Sequence, residues 1–588
     1  MARSPTVGDA VIDCDVLVIG AGAGGLSAAV TAAAHGLQVV VLEKEPVYGG
    51  TTAWSGGWLW IPRNPLAVAA GIVEPEDGPR TYLRHELGDQ YDPARVEAFL
   101  AQGPRMVEFF QSHTAVKFID GNAVPDFHGH SPGAREGGRS VCAAPFDARE
   151  LGPRVHTLRR PLDLISLWGM GIASGADVRH FLNAMRSWRS FAHVAGRVLR
   201  HGRDLLLHGR GMHLVNGNAL AARLAKSAFD LGVDLRVDSA VTRLLRDGER
   251  VTGACVSGPS GHRYEVRARR GVVLACGGFP HDIRRKRELI PHAPTGCEHW
   301  SAAPPSNTGD GLRPGEWGGG GVDDTLPAAG GWAPVSLVTR RDGSVGAFPH
   351  LLERAKPGLV AVTRTGRRFV NEAGSYHDFI TGLLAAVPQG EAVEAWLVCD
   401  HAFIRHYGLG HAKPAPMPLW PSLRSGYLKR GRTPAELAAA CGIDAAVFAD
   451  TIATHNRDAV QGTDTAFGRG GVPYNRVNGD AARKPNPCLA PIERGPFYAV
   501  KVVPGSLGTF AGLRTDALAR VLDRAGRPVP GLFACGADMS SVMGGRYPSG
   551  GITLGPAMTF GYIAGRHLAG VDGEGAAPAV RRESLSLS

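Results

Sequence analysis

Three glycines, Gly20, Gly22 and Gly25, stand at G-x-G-x-x-G spacing within the run Gly20-Ala21-Gly22-Ala23-Gly24-Gly25. Such residues bind phosphate through the main chain, because without a Cβ the backbone N–H groups can reach an anion. The first glycine permits a tight turn, the second lets the backbone approach a pyrophosphate, and the third lets a helix pack close to a strand. Ala23 and Gly24 belong to the same phosphate-binding turn. Glu43 follows eighteen residues after Gly25, with Lys44 beside it. An acid at that distance can accept hydrogen bonds from adenosine ribose hydroxyls.

The elements around these residues place them as that chemistry needs. Val16–Ile19 is a continuous apolar run, as in a parallel strand buried on both faces. Residues 26–35 read as an Ala-rich helix whose positive end faces the phosphates. A second apolar strand, Val39–Leu42, ends at Glu43. The whole stretch 16–34 is apolar enough to mimic a membrane span, but its four glycines fit strand, turn and helix better. A merely Gly-rich turn would not call for Glu43, so the segment predicts a dinucleotide site. The run Gly49-Gly50-Thr51-Thr52-Ala53-Trp54-Ser55-Gly56-Gly57 then extends it. Gly50, Thr51, Thr52, Ser55 and Gly57 can offer amides and hydroxyls to phosphates and ribityl oxygens, which points to FAD rather than NAD.

Further parts of the cradle lie far along the chain. Residues 233–241 suggest a strand that passes the adenine, with Val241 as a backbone contact. Gly271–Phe279 is a strand running into a turn at Gly277 and Gly278, and Gly531–Asp538 repeats that form with Gly536 and Asp538. The segment 544–551 leads into a helix over 552–568, with Thr553 and Leu554 in its first turn. A helix N-terminus at Gly551 can stabilise negative charge on a flavin ring or a substrate oxygen. Both ends of the chain therefore build one domain, and the middle is inserted into it. The expected fold class is α/β: a Rossmann-like FAD-binding domain, residues 10–283 and 494–572, with an inserted α+β substrate-capping domain, residues 284–493. Residues 573–588 read as a flexible tail. Within 104–204, residues 163–173 and 178–198 look helical; Leu164–Trp168 and Phe191 read as a buried helix face more readily than as an apolar entrance or membrane-facing patch.

Composition narrows the classes. The chain has 588 residues, enough for two or more domains, with 44% hydrophobic and 20% charged residues as in soluble globular proteins. The net charge of +10 is spread out, its densest runs being short (Arg267, Arg269 and Arg270; Arg284–Arg287), so no nucleic-acid partner is expected. That charge leaves room for an anionic cofactor or, at most, peripheral membrane contact. Nine scattered cysteines include no C-x-x-C pair and no His/Cys cluster, so no metal is expected. With no signal-peptide pattern at the N-terminus, the expectation is a cytoplasmic protein.

Taken together, these segments resemble the flavoprotein superfamily of succinate dehydrogenase and fumarate reductase, and within it most of all the 3-ketosteroid Δ1-dehydrogenases. The resemblance spans nearly the whole chain. It is most specific at GAGAGG with GGTTAWSGG, at Gly366–Glu372 followed by Tyr376, and at the stretch GGRYPSGGITLGPAMTFGY. It implies removal of a proton from the carbon beside a ketone and of a hydride from the next carbon, with FAD taking the hydride. Tyr547 and the amide of Gly551 are implied to hold the ketone oxygen, and Tyr376 to act as base. A ketone α-proton is roughly 12 kcal/mol harder to remove than a phenol's, and one preorganised donor recovers about 3–4 kcal/mol. A base that works as tyrosinate should also have its pKa lowered by neighbours.

Membrane-bound members tether FAD through a histidine near GGTTAWSGG. No histidine lies between Glu43 and His85, so noncovalent FAD is expected. A small apolar cyclic ketone, most of all a 3-ketosteroid, is the implied substrate, and a quinone-like or other external acceptor the implied electron sink. A Δ4-(5α)-ketosteroid, a cyclohexanone-type ketone and fumarate-type alkene reduction are the alternatives. One position departs from the family: Phe127 stands where members carry a tyrosine, and His128 beside it is either a substitute or a surface-loop histidine.

Overall fold

A computed structural model of the chain describes residues 10–571. The tail assigned to 573–588 lies outside the described residues. Two large sheets organise the molecule. In the first, Pro528–Ala534, Arg263–Leu274, Ala10–Ile19, Val39–Leu42 and Asp234–Arg236 run parallel in that spatial order. Ile19 pairs with Leu274 on one side and Leu42 on the other, and Leu274 pairs with Ala534. The carboxyl ends of four strands are therefore level along one edge, where open α/β sheets bind their ligands. Gly20, Glu43, Ala275 and Cys535 each follow directly from one of these ends.

The apolar runs form these strands because both sheet faces are covered. Val16, Leu17 and Val18 are fully buried. On one face the helices Ala23–Ala34 and Leu554–Ala569 cross closely, and Gly561 and Gly565 make that possible. A Cβ on Gly561 would lie 2.4 Å from the Gly24 carbonyl oxygen, and one on Gly565 2.7 Å from the Thr31 Cβ.

The second sheet is mostly antiparallel and lies in the inserted region. Its order is Val345–Pro349, Gly330–Thr339, Phe497–Thr509, Ala395–Cys399 and Leu359–Val362. The strand Phe497–Thr509, which falls in the range 494–572 expected for the second part of the FAD-binding domain, is the centre of this sheet, paired with both Gly330–Thr339 and Ala395–Cys399. Its thirteen residues span the inserted domain before the chain crosses back near Phe510.

Each sheet has its own apolar core. Tyr376 and Tyr474, from the inserted region, pack in the core of the first domain with Phe127 and Tyr547. Among the described residues no helix is long and apolar enough to cross a membrane.

Candidate active site

One cavity of about 1440 Å³ runs from the Gly20 turn along the junction of the two domains. The three motif glycines divide their work around it. Gly20 has φ +107°, and a Cβ there would lie 2.2 Å from the Ala275 oxygen. A Cβ on Gly25 would lie 2.0 Å from the Gly20 oxygen. On Gly22 it would meet only the Thr52 hydroxyl, at 3.7 Å, so that glycine presents bare main chain to the cavity. The helix Ala23–Ala34 begins there with no side-chain cap, which leaves its positive end for a phosphate. The Thr52 hydroxyl accepts from the Ala23 amide at 2.9 Å and so ties the GGTTAWSGG segment to the turn.

Glu43 accepts from the Ala21 and Glu45 amides, both at 3.1 Å, and lines the cavity; burial pushes its carboxyl pKa up, partly offset by those amides. Lys44 pairs with Asp310 and donates to Thr308 at 3.0 Å. Asn307 donates to Thr51 at 2.9 Å and to the Gly277 oxygen at 3.0 Å. Asn307 and Asp310 therefore close the cradle from the inserted domain. Sequence reasoning missed both; the compact polar run Ser306–Gly311 after the Gly277 turn was the available signal.

All the residues assigned to the cofactor from sequence line this cavity except Gly25, Gly278 and Asp538. Those three stand behind its wall. Asp538 is fully buried and its oxygens accept from the Cys276 amide at 2.5 Å and the Gly278 amide at 3.0 Å. Burial raises its pKa to about 6. It holds the 276–278 turn. Bare main chain at Gly22, a helix start without a cap, and hydroxyls at Thr51, Thr52 and Ser55 together fit a long phosphate-bearing cofactor.

Farther along, four aromatic rings converge. Tyr376 opens the helix Tyr376–Ala386, where the Ser375 hydroxyl accepts from the His377 amide at 3.1 Å. Its ring meets Tyr547 edge-on with centroids 4.8 Å apart. Phe127 stacks on Tyr547 at 5.8 Å, meets Tyr376 edge-on at 5.4 Å and lies 4.3 Å from Tyr474. All four rings are buried and line the cavity. Gly551 lines it too, with φ +98°, and its carbonyl accepts from the Trp60 amide at 3.1 Å. Tyr474 was missed from sequence; Pro473-Tyr474-Asn475 carries no local mark of a site.

The electrostatics differ from expectation in two places. Burial, followed by the neighbouring Tyr547 and Tyr474, pushes the Tyr376 hydroxyl pKa well above the ordinary phenol value, where a lowered value was expected. The opposing influence is the positive charge of Arg354. Burial also raises Tyr547, to about 12, with Tyr376 and Thr553 pulling the other way. The second difference concerns His128, which does not line the cavity. Its ring bridges Glu86 at 2.5 Å and Asp378 at 2.7 Å. Burial disfavours its charge, yet the two carboxylates outweigh that and raise its pKa to about 10. It is neither a free surface histidine nor a stand-in for the hydroxyl that Phe127 lacks. It ties the 125–131 loop to the helix that begins at Tyr376.

A Rossmann-like sheet, a glycine cradle at its carboxyl edge and an apolar cavity with two facing phenols define an FAD-dependent oxidoreductase. The chain belongs to the FAD binding domain family, whose model matches residues 15–554. Within it the chain is a 3-ketosteroid Δ1-dehydrogenase-like member of the succinate dehydrogenase and fumarate reductase flavoprotein superfamily. It is 41% identical to a 4-oxocyclohex-2-ene-1-carboxylate 5-dehydrogenase of Sinomonas cyclohexanicum, over 95% of this chain and 94% of that protein. It is 36% identical to a 3-oxosteroid 1-dehydrogenase of Mycobacterium tuberculosis, over 95% and 99%. The solved structure of the 3-ketosteroid delta1-dehydrogenase of Sterolibacterium denitrificans superposes with a TM-score of 0.87 at 36% identity, covering 95% of this chain and 99% of that one.

Proposed function

We propose that this flavoenzyme introduces a double bond beside the carbonyl of a cyclic ketone, with 3-ketosteroid Δ1-dehydrogenation as its reaction. The observation that carries this is the edge-on pair Tyr376 and Tyr547, 4.8 Å apart in the cavity that continues from the glycine cradle. FAD, held noncovalently by the cradle, supplies the acceptor for the hydride that leaves the β-carbon. The Tyr547 hydroxyl and the Gly551 amide hold the ketone oxygen and favour the negative charge that develops there. Tyr376 takes the α-proton. The apolar rings of Phe127 and Phe510 exclude water from that exchange. An external acceptor such as a quinone then reoxidises the enzyme. Nine cysteines without a disulfide support residence in the cytoplasm. The boundaries of the substrate-capping domain are drawn at 284 and about 509.

A second substrate, a smaller ring bearing a carboxylate, is favoured by two lysines. Lys356 and Lys413 line the same cavity, and each donates to a backbone carbonyl, Gly479 at 2.7 Å and Leu164 at 3.0 Å. Burial lowers the pKa of both, and the carboxylate of a 4-oxocyclohexanecarboxylate beside them would favour their charged form.

Anaerobic mixing with 4-androstene-3,17-dione, 4-oxocyclohexanecarboxylate, cyclohexanone and succinate, the reduced partner of fumarate, watching the oxidised flavin band, tests these readings. Bleaching by the steroid is expected; bleaching by the ring acid alone would select the second reading. Bleaching by fumarate's reduced partner only, or by none of them, would overturn the proposal. Tyr376→Phe is expected to lower the bleaching rate by about 10²–10⁴ with FAD still bound.

A further inference from the structure

The helix Trp188–His208 is packed inside out. Its buried residues are Ser190, His201 and Asp204, all polar. Asp204 accepts from the Met212 amide at 3.0 Å, and His201 meets the Trp168 carbonyl at 3.1 Å. Its large apolar residues point to solvent: Trp188 is 78% exposed, Leu199 75% and Leu206 89%. At 3.6 residues per turn these three lie within about 20° of one another around the helix axis, so they form a single stripe. Phe191 flanks the stripe on one side, and Arg189, Arg200 and Arg203 flank it on the other. An ordinary surface helix turns its apolar stripe inward. This one turns Ser190, His201 and Asp204 toward the protein, with Val194 and Val198 beside them, and offers the Trp188, Leu199 and Leu206 stripe to solvent.

We propose that the helix Trp188–His208 is a peripheral docking element for an anionic lipid bilayer, lying in the headgroup plane with its Trp188, Leu199 and Leu206 stripe in the acyl boundary. An apolar stripe edged by arginines is the composition that binds such interfaces. The single acid of the helix, Asp204, is buried, so nothing on its outer face repels anionic headgroups. A second copy of the chain fits less well, because pairing two such helices would bring arginines against arginines. The location agrees. Val194 and Val198 of the same helix line the large cavity, as do the exposed Ile165 and Trp168. An apolar ketone would then enter from the lipid side. That consequence rests on the function proposed above; the docking itself does not.

Flotation of the FAD-loaded protein with vesicles tests this, using phosphatidylcholine alone and an equimolar mixture with phosphatidylglycerol. Wild type is expected to float with the mixed vesicles at low salt and less with phosphatidylcholine. The double variant Leu199→Glu, Leu206→Glu, changed at exposed positions away from the cavity, is expected to lose at least about tenfold of the bound fraction. Its flavin spectrum and flavin bleaching by a soluble ketone should match wild type. Wild type that does not float, or a variant that floats equally well, would overturn the proposal. So would a wild-type dimer that the variant dissolves into monomers in sedimentation velocity, since the helix would then be covered by its own copy. Flotation needs no turnover, so loss of the ketone reading leaves this result standing.

Discussion

Tyr376 gains its place in the cavity at the expense of its acidity. Burial raises its pKa, and the phenols of Tyr547 and Tyr474 raise it further. The counterweight is Arg354, 1% exposed and bonded only to carbonyls: His350, Leu351, Glu372 and Gly374. Two of those carbonyls lie just before Tyr376, and the guanidinium sits 5.1 Å from the Phe379 ring one turn later. Its positive charge acts on the phenol of Tyr474 as well as on Tyr376, and Glu353 and Glu372 lie near enough to share its field. Because the deprotonated phenol is the active form, kcat/KM should rise with pH into the alkaline range. Arg354→Gln should move that rise to higher pH by about one unit, and Arg354→Lys should restore it. A pH–rate profile that stays in place would reduce Arg354 to a clamp on the loop.

At the scale of elements, two devices hold the site together. The first is the glycine turn. Gly22→Val should fold normally but lose FAD, because its Cβ faces the cavity, whereas Gly25→Ala should destabilise the fold itself, its Cβ being driven into the Gly20 carbonyl. Thermal melts and flavin content, read together, separate the two. The second is the Glu86–His128–Asp378 bridge. His128 has a folded pKa raised to about 10 from 6.5, so the bridge's contribution is fully present below about pH 6.5 and is lost as pH rises through about 10. The melting temperature of wild type should therefore fall over that window relative to His128→Gln, which lacks the titrating group. Parallel curves would show that the bridge adds nothing.

For the whole molecule, the cavity is the junction of two domains with separate cores, joined at the aromatic cluster and at the Asn307 and Lys44 contacts. A cofactor lying along that junction couples them. Removing FAD should lower the melting temperature, and adding it at about a hundred times its Kd should restore about 2.7 kcal/mol, while NAD should not. Differential scanning calorimetry of apo and reloaded protein measures this.

The sequence by itself determined the cofactor end. Strand, turn, helix and terminal acid fall within Val16–Glu43, where the interactions are local and the residue types follow from backbone sterics. The segments after Leu274 and Ala534 were legible for the same reason, since each is an apolar strand ending in glycine. Tyr376, Tyr547 and Gly551 came from resemblance of motifs; the spacing of residues alone did not single them out. Only the tertiary structure decided the rest. The cluster of Phe127, Tyr376, Tyr474 and Tyr547 is drawn from positions 420 residues apart, and packing alone brings them together. Asp538 was read from the glycine-ended strand Gly531–Asp538, and only the folded chain brings its oxygens to the Cys276 and Gly278 amides. The helix Trp188–His208 makes the same point: its two faces can be read from the residues, but which face turns inward depends on what the rest of the chain leaves for it to cover.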